Sequence, residues 1–300
     1  MTKIDAANLP IERIAARAAE LVEGLVVHRA LPTRQRRMVG AWCFLDHIGP
    51  VSFDQGQGLR VGAHPHTCLQ TFTWMIKGEI LHRDSLGNEQ VIRPSQVNLM
   101  TAGRGIAHME DSLPEERLVH AVQLWIALPP EAAQCDPAFD HYPDLPCWGE
   151  RGCSFTLLAG EFSGHVAPTR LYSPLVGLEI SSQDAYITRL PLNSDFEYGI
   201  LPLEGSVRIG EECFQSDEFA YLGHGLESVY LELQASSRIL LLGGKPFKQP
   251  ILMWWNFVGF SKEEIAKAQA EWEAGAARFG RVNGDEGRRL AAPKLPWPGY

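Results

Sequence analysis

No stretch of the 300-residue sequence stays apolar for the ~20 residues that a membrane-crossing helix needs. An excess of basic charge is also missing, since 27 Lys and Arg stand against 36 Asp and Glu, a formal net charge of -9. Binding to nucleic acid or to an anionic membrane surface draws on the opposite field, so neither is an expected partner. No run of four or more like charges makes a charged tail. The six cysteines (Cys43, Cys68, Cys135, Cys147, Cys153 and Cys213) contain no Cys-x-x-Cys pair, which argues against a zinc ribbon or a disulfide framework. The opening residues carry no long apolar region, so no secretory signal is expected, and the reading is a cytoplasmic protein with reduced thiols.

What is present is an ordinary globular balance, 45% apolar and 21% charged, on a chain long enough for one large or two medium domains. Ile11, Ile14, Ala15 and Leu21 fall at helical spacing, which predicts a helix over residues 10–27. From Ala41 onward short apolar runs alternate with breakers. Phe72 to Ile76, Gln96 to Met100 and Val119 to Leu128 are such runs, and Lys77-Gly78, Leu86-Gly87-Asn88 and Gly103-Arg104-Gly105 are such breakers. Many short strands at this spacing predict an all-β sandwich or barrel.

The Pro-, Asp- and Gly-rich segment 129–152 reads as a linker, after which the same rhythm resumes from Phe155 to Leu242. A duplicated small β-barrel follows from that repeat, with domains over 1–135 and 136–300. Ser261 followed by Glu264 has the spacing of a capping box, and Ile265, Ala268 and Trp272 share one helical face. A C-terminal helix is therefore expected, with Gly280 as its stop and a Pro-rich end laid over the surface.

The chemistry concentrates in two short motifs. In a strand, residues i and i+2 point to the same face, so His64-Pro65-His66 aims two imidazoles at one place. His108-Met109-Glu110 repeats the arrangement with an imidazole and a carboxylate. Together the four residues offer three nitrogens and one oxygen. That set suits Fe(II), Mn(II), Ni(II), Cu(II) or Zn(II), and not Ca(II) or Mg(II) with their oxygen shells. A lone strand histidine is more often an ordinary surface or core residue, and only the two paired motifs together outweigh that reading. His82 is read as fixing its hairpin turn, and His28, His47, His120, His141, His165 and His224 have no partner at ligand spacing. Alternation also turns the Cys68 thiol toward the His66 side, where a small buried hydrophobe is the weightier reading. The second half has no comparable motif.

At this point the sequence resembles the pirin family of the cupin superfamily. The likeness rests on Phe44-Leu45-Asp46-His47-Ile48-Gly49-Pro50, on His64-Pro65-His66 followed by a strand and Lys77-Gly78-Glu79, and on His82-Arg83-Asp84-Ser85-Leu86-Gly87-Asn88. It extends through Met100 to Glu110, Gln123 to Pro129 and the tail Lys262 to Gly280. It implies a bicupin, two β-barrels with a C-terminal helix and a metal in the first barrel alone, held by His64, His66, His108 and Glu110. Some members of that family open flavonols such as quercetin with dioxygen; others are described as transcriptional coregulators or metabolic-enzyme binders.

The leading expectation is therefore a dioxygenase with one divalent transition metal, iron(II) first, acting on a small aromatic substrate with O2, with Glu110 as general base. The alternative is a metal- or redox-responsive binding protein with a protein partner and no turnover, and a zinc-dependent isomerase is a third reading. The chain departs from the family where Thr67-Cys68-Leu69-Gln70 stands in place of the usual Arg-Gly-Phe-Glu, changing charge and space beside His66.

Overall fold

The computed structural model describes residues 11–22, 25–54 and 57–298. Its twelve N-terminal strands are β1 (Glu12–Ala15), β2 (Arg17–Val22), β3 (Leu25–Leu31), β4 (Trp42–Ser52), β5 (Arg60–His66), β6 (Leu69–Lys77), β7 (Ile80–Asp84), β8 (Glu89–Ile92), β9 (Val97–Thr101), β10 (Ile106–Ser112), β11 (Leu118–Ala127) and β12 (Ala138–Tyr142). Further antiparallel strands run from Cys147–Glu150 to Phe257–Gly259, and α1 (Lys262–Glu273) is the one α-helix among the described residues. The fold is all-β with a C-terminal helix, as the short apolar runs predict. Every apolar run named above lies on a strand, and the breakers hold left-handed glycines, with Gly78 at φ 85 and Gly87 at φ 91. Among the described residues no helix is long and apolar enough to cross a membrane.

The chain forms two compact units. One contains Val27–His47 and Asp144–Phe247 with the described part of Met1–Ala19. The other contains Ile48–Pro143 and Lys248–Tyr300 with the described part of Glu20–Val26. A single cut at 135/136 therefore does not describe the division. The C-terminal helix belongs with the unit that carries the paired histidine motifs, and N-terminal strands belong with the other unit. The stretch expected as a linker is itself partly regular, because it holds β12 and the Cys147–Glu150 strand.

The expected N-terminal helix is absent, and β1, β2 and β3 stand in its place; residues 10, 23 and 24 of that segment lie outside the described ones. β1 pairs antiparallel with the Glu218–His224 strand, Ile14 opposite Phe219, and in β1 only Ile14 is buried. Pairing to a strand some two hundred residues away decides the conformation, and local helical spacing does not.

Within the histidine-bearing unit, β12, β9, β6 and β11 neighbour one another in one sheet, and β5, β10, β7 and β8 form a second. The two faces of β5 and β10 differ. Ala63, Ala107 and Met109 point outward and pack with Phe257, Ile265, Ala268 and Trp272, so α1 covers the back of both strands. The helix starts as its sequence suggests: Ser261 Oγ accepts from Glu264 N at 3.2 Å, while Glu264 Oε2 accepts from Phe260 N at 2.7 Å. It ends earlier than Gly280, at a cap on Ala274, and Gly280 instead closes a short 3-10 turn over Ala277–Phe279.

The Pro-rich tail is pinned rather than loosely draped. Leu290 N donates to Ala63 O at 2.8 Å, Trp272 Nε1 donates to Leu290 O at 2.9 Å, and Arg288 forks onto Asp111 at 2.7 and 3.0 Å. The tail passes so close to β5 that a Cβ at Gly62 would lie 1.9 Å from the Arg288 carbonyl oxygen. Gly62→Ala is therefore expected to push the tail off β5 and cost roughly 2–4 kcal/mol by overpacking. Amide hydrogen exchange at Leu290 and Ala292 should accelerate in that variant; an unchanged rate would show that the close passage is not what holds the tail.

Candidate metal centre

The inward faces of β5 and β10 carry the site. His108 on β10 sits directly opposite His64 on β5 and opposite Asp84 on β7. His64, His66 and His108 each offer a ring nitrogen to one cluster, all within 4.8 Å of one another. Their ring centroids lie 4.3 to 5.0 Å apart, and none of the three is more than 7% exposed. Trp125 of β11 meets His66 edge-on at 5.1 Å.

Glu110 does not join that cluster. The register between β10 and β5 slips after His108, so Glu110 faces Val61 in β5 and His82 in β7. Its carboxylate groups with His82 and His108 instead. Of the four residues singled out from spacing, three converge within 4.8 Å of one another, and Glu110 shares His108 with that group. Burial, with a smaller push from Asp111, raises the Glu110 carboxyl above its ordinary range.

His82 is the residue that spacing undervalued. It lies in β7 rather than in a turn, is 2% exposed, and stacks on Phe139 at 4.4 Å. The clue in the sequence was His82-Arg83-Asp84, one more i, i+2 pair. His82 Nε2 lies 3.2 Å from Asp84 Oδ2, and His82 Nδ1 lies 3.4 Å from His108 Nδ1. Asp84 is a well-anchored carboxylate that also accepts from Leu86 N, Asn88 N and Asn88 Nδ2. Burial alone would raise its pKa, but the hydrogen bonds from His82 and Asn88 outweigh it and hold the group below its usual value.

The protons follow from these contacts. An ionised Asp84 can only accept, so His82 donates from Nε2 and presents Nδ1 as an acceptor. His108 then donates from Nδ1 and turns its Nε2 lone pair inward. His64 Nδ1 lies 2.8 Å from Gly62 O and His66 Nδ1 3.2 Å from Asn256 O, and carbonyls too can only accept. All three rings thus use Nδ1–H outward and leave Nε2 unprotonated. His66 Nε2 and His108 Nε2 stand 3.0 Å apart with no proton to share. Protonation does not relieve this, because burial, followed by the neighbouring imidazoles, holds His66 and His108 well below 6.5, and burial takes His64 down to about 4. Three converging lone pairs in a buried pocket fit a cation of the class that accepts imidazole nitrogen.

Cys68 stands apart from the cluster. It adopts φ 58 in the corner between β5 and β6, which breaks the strand alternation, and its Sγ lies 4.0 Å from Leu128 O. Burial, with smaller contributions from Glu264 and Cys135, pushes the thiol up to about 12, so it is an unreactive buried group. The left-handed backbone is one that a glycine adopts without strain. Gln70, fully buried, donates from Nε2 to Thr101 Oγ1 at 3.0 Å. Two histidines without ligand spacing, His28 and His47, also meet a carboxylate, that of Asp217.

A barrel with an imidazole cluster on i, i+2 strand positions, accompanied by a second barrel without one, is the architecture of a bicupin. The chain belongs to the pirin family: the Pirin family model matches residues 24–126, and the Pirin C-terminal cupin domain matches residues 177–280. A Pseudomonas aeruginosa protein named "Putative quercetin 2,3-dioxygenase PA1205" is 61% identical over 287 residues, covering 96% of this chain and 91% of that protein. A Caulobacter vibrioides protein named "Pirin-like protein" is 36% identical over 276 residues, 89% of this chain and 94% of that one. A solved structure of quercetin 2,3-dioxygenase from Acinetobacter baumannii superposes with a TM-score of 0.93 at 48% identity, over 95% of this chain and 96% of that one.

The neutral histidines make the metal-free protein sensitive to acid. Folded His64 titrates at about 4 against an ordinary 6.5. Stability is therefore full above the higher value, declines as the unfolded chain takes up its proton, and is lost by the lower one. For His64 alone the loss is on the order of 3 kcal/mol, while the raised Glu110 carboxyl acts in the opposite direction. Chemical denaturation of metal-free wild type and His64→Gln between pH 7 and pH 4 isolates the term. The slope should be shallower in the variant, and equal slopes would show that His64 is not held neutral.

Proposed function

We propose that the chain is a metal-dependent dioxygenase of the pirin type that acts with O2 on a flavonol-like or other chelating aromatic substrate. The observation that supports this most directly is the convergence of three buried imidazoles, with His66 Nε2 and His108 Nε2 only 3.0 Å apart. The 61% identity to a protein carrying a quercetin dioxygenase name supplies the substrate class. His64, His66 and His108 would hold one divalent ion, with Glu110 of the same strand as the added carboxylate; iron(II) is the leading candidate, ahead of manganese, nickel, copper and zinc. The ion supplies Lewis acidity that lowers the pKa of a coordinated hydroxyl and leaves positions open beside it.

The protein's own contribution is orientation and proton handling. Outward Nδ1 hydrogen bonds to Gly62 O and Asn256 O fix the rings of His64 and His66. Asp84, acting through His82, fixes that of His108. Glu110, its affinity for a proton raised by burial, takes the proton from a substrate hydroxyl. Trp125 against His66 and Phe139 against His82 put apolar rings beside the imidazoles and help to exclude water.

Oxygen uptake on quercetin, recorded after anaerobic loading with each metal in turn, tests the reading. Uptake should require metal, vanish in His64→Ala, and fall about 10²- to 10⁴-fold in kcat in Glu110→Gln. A folded, fully metal-loaded protein that consumes no oxygen would remove the flavonol reading and favour the binding-protein alternative. A separate expectation concerns Asp84→Asn, which removes the carboxylate acceptor at the end of the hydrogen-bond chain from His108 through His82. Metal affinity, measured by competition with a chromophoric chelator, should weaken about 10- to 100-fold; unchanged affinity would show that His108 is oriented by other means.

A further inference from the structure

Outside the histidine pocket one other group of metal-capable side chains stands out among the described residues: His28 on β3, His47 on β4 and Asp217 in the turn between the Glu212–Gln215 and Glu218–His224 strands. All three belong to the compact unit that lacks the paired motifs. His28 Nδ1 lies 2.5 Å from Asp217 Oδ2, and His47 Nδ1 lies 2.7 Å from Asp217 Oδ1. The carboxylate is thus gripped by one imidazole on each oxygen. Its turn is held from both sides, by Ala16 N donating to Asp217 O at 2.8 Å and Asp217 N donating to Pro202 O at 3.1 Å. Asp217 itself takes φ 66, a left-handed conformation that Asp and Asn tolerate better than other non-glycine residues.

The choice of partners is informative. Guanidinium groups abound nearby, yet they are committed to other acids. Arg29 forks onto Asp46 at 2.7 and 2.6 Å, Arg13 pairs with Glu218 and Glu212, and Arg36 pairs with Glu12. A carboxylate needing only charge compensation finds it more cheaply in an arginine, which is always protonated. Asp217 is instead met by the two imidazoles, groups that bind metal when neutral.

From this we infer that His28, His47 and Asp217 form a second divalent-metal site, independent of the pocket in the first barrel, that takes a borderline ion of the zinc class. Two nitrogens and one carboxylate oxygen from three separate segments are a facial donor set with room for water at the remaining positions. Access differs usefully along the set. The His47 side chain is 2% exposed and supplies a fixed anchor, whereas His28 is 46% exposed and Asp217 22% exposed, so an ion enters from solvent. Bonds of about 2.0–2.2 Å place tetrahedral donors roughly 3.3 Å apart, against the present 2.5 and 2.7 Å contacts to the two carboxylate oxygens. With both imidazoles as neutral ligands, a 2+ ion and one carboxylate make a complex of net charge +1. Bound metal would tie β3 and β4 to the Asp217 turn, a cross-link between chain segments about 170 to 190 residues apart.

Cobalt(II) reports on both sites, through its visible bands and by equilibrium dialysis of the full-length chain. Wild type should bind two equivalents, His64→Ala/His66→Ala one, and the same double variant carrying Asp217→Asn none. Zinc(II) should displace the remaining cobalt and raise the melting temperature of the double variant. Asn keeps the size and backbone preference of Asp217, and the exposed His28→Gln gives a second variant that leaves the buried anchor in place. Should the double variant fail to fold, Asp217→Asn in the otherwise wild-type chain should lower the stoichiometry from two to one. The inference is overturned if the double variant binds no cobalt, or if Asp217→Asn and His28→Gln both leave the bound equivalent and the melting temperature unchanged. In that event the three side chains are a hydrogen-bonded clasp only.

Discussion

The histidine pocket depends on β10 pairing with two strands at once. Toward β5 the register sets His108 against His64 and brings the H-x-H pair into range. Toward β7 it sets Glu110 against His82 and His108 against Asp84. The β7 register runs unbroken through these residues, and the slip after His108 falls on the β5 side alone. A bulge of this kind re-aims the side chains that follow it. Here it lets one imidazole face its fellow ligands through Nε2 and its orienting partner through Nδ1. Without the slip, Glu110 would sit opposite Gly62 rather than Val61, while its pairing with His82 in β7 would stand.

A pocket of neutral imidazoles is costly to bury, so the back of the same strands has to be firm. Ala63 and Ala107 are small there because α1 lies on them, and Gly62 has no side chain because the tail carbonyl of Arg288 occupies that space. The two faces of β5 are thus constrained by different chemistry, imidazoles inward and close-packed small residues outward. Arg288 on Asp111 closes the arrangement one residue beyond Glu110. The C-terminal segment is part of the histidine-bearing unit because it supplies the apolar cover that a half-polar sheet cannot provide for itself.

How much of this the sequence discloses depends on the range of the interaction. The convergence of His64, His66 and His108 was legible because i and i+2 share a face whatever the rest of the chain does. The capping residues of α1 and its buried Ile265, Ala268 and Trp272 were legible for the same local reason. The N-terminal strands were not: a segment that pairs with Glu218–His224 has no local mark of its partner, and Ile11, Ile14, Ala15 and Leu21 imitate a helix by chance of spacing. The separation of Glu110 from the three-imidazole cluster was hidden too, since a register slip between strands leaves no trace in either strand alone. His82 fell between the cases, because its pairing with Asp84 follows the i, i+2 rule but only the fold shows that β7 abuts β10. His28, His47 and Asp217 lie on three distant segments and have no sequence signature at all.

The contrast between the two barrels follows from what fills them. The second has a continuous apolar interior in which Leu157, Ile180, Ile200, Phe214, Leu231 and Leu241 are essentially closed to solvent. Placing one histidine there would bury an unpaired polar group, which costs about 1–3 kcal/mol with nothing returned until its companions are also in place. A cluster of three imidazoles with outward acceptors for every Nδ1 therefore cannot be reached from that interior one residue at a time. The reverse path, from polar pocket to apolar core, lowers the energy at each step. If the two barrels arose by duplication, the copy with the apolar interior is the one expected to stay without a pocket, and a metal site in that unit has to lie, as the His28, His47 and Asp217 group does, away from its interior.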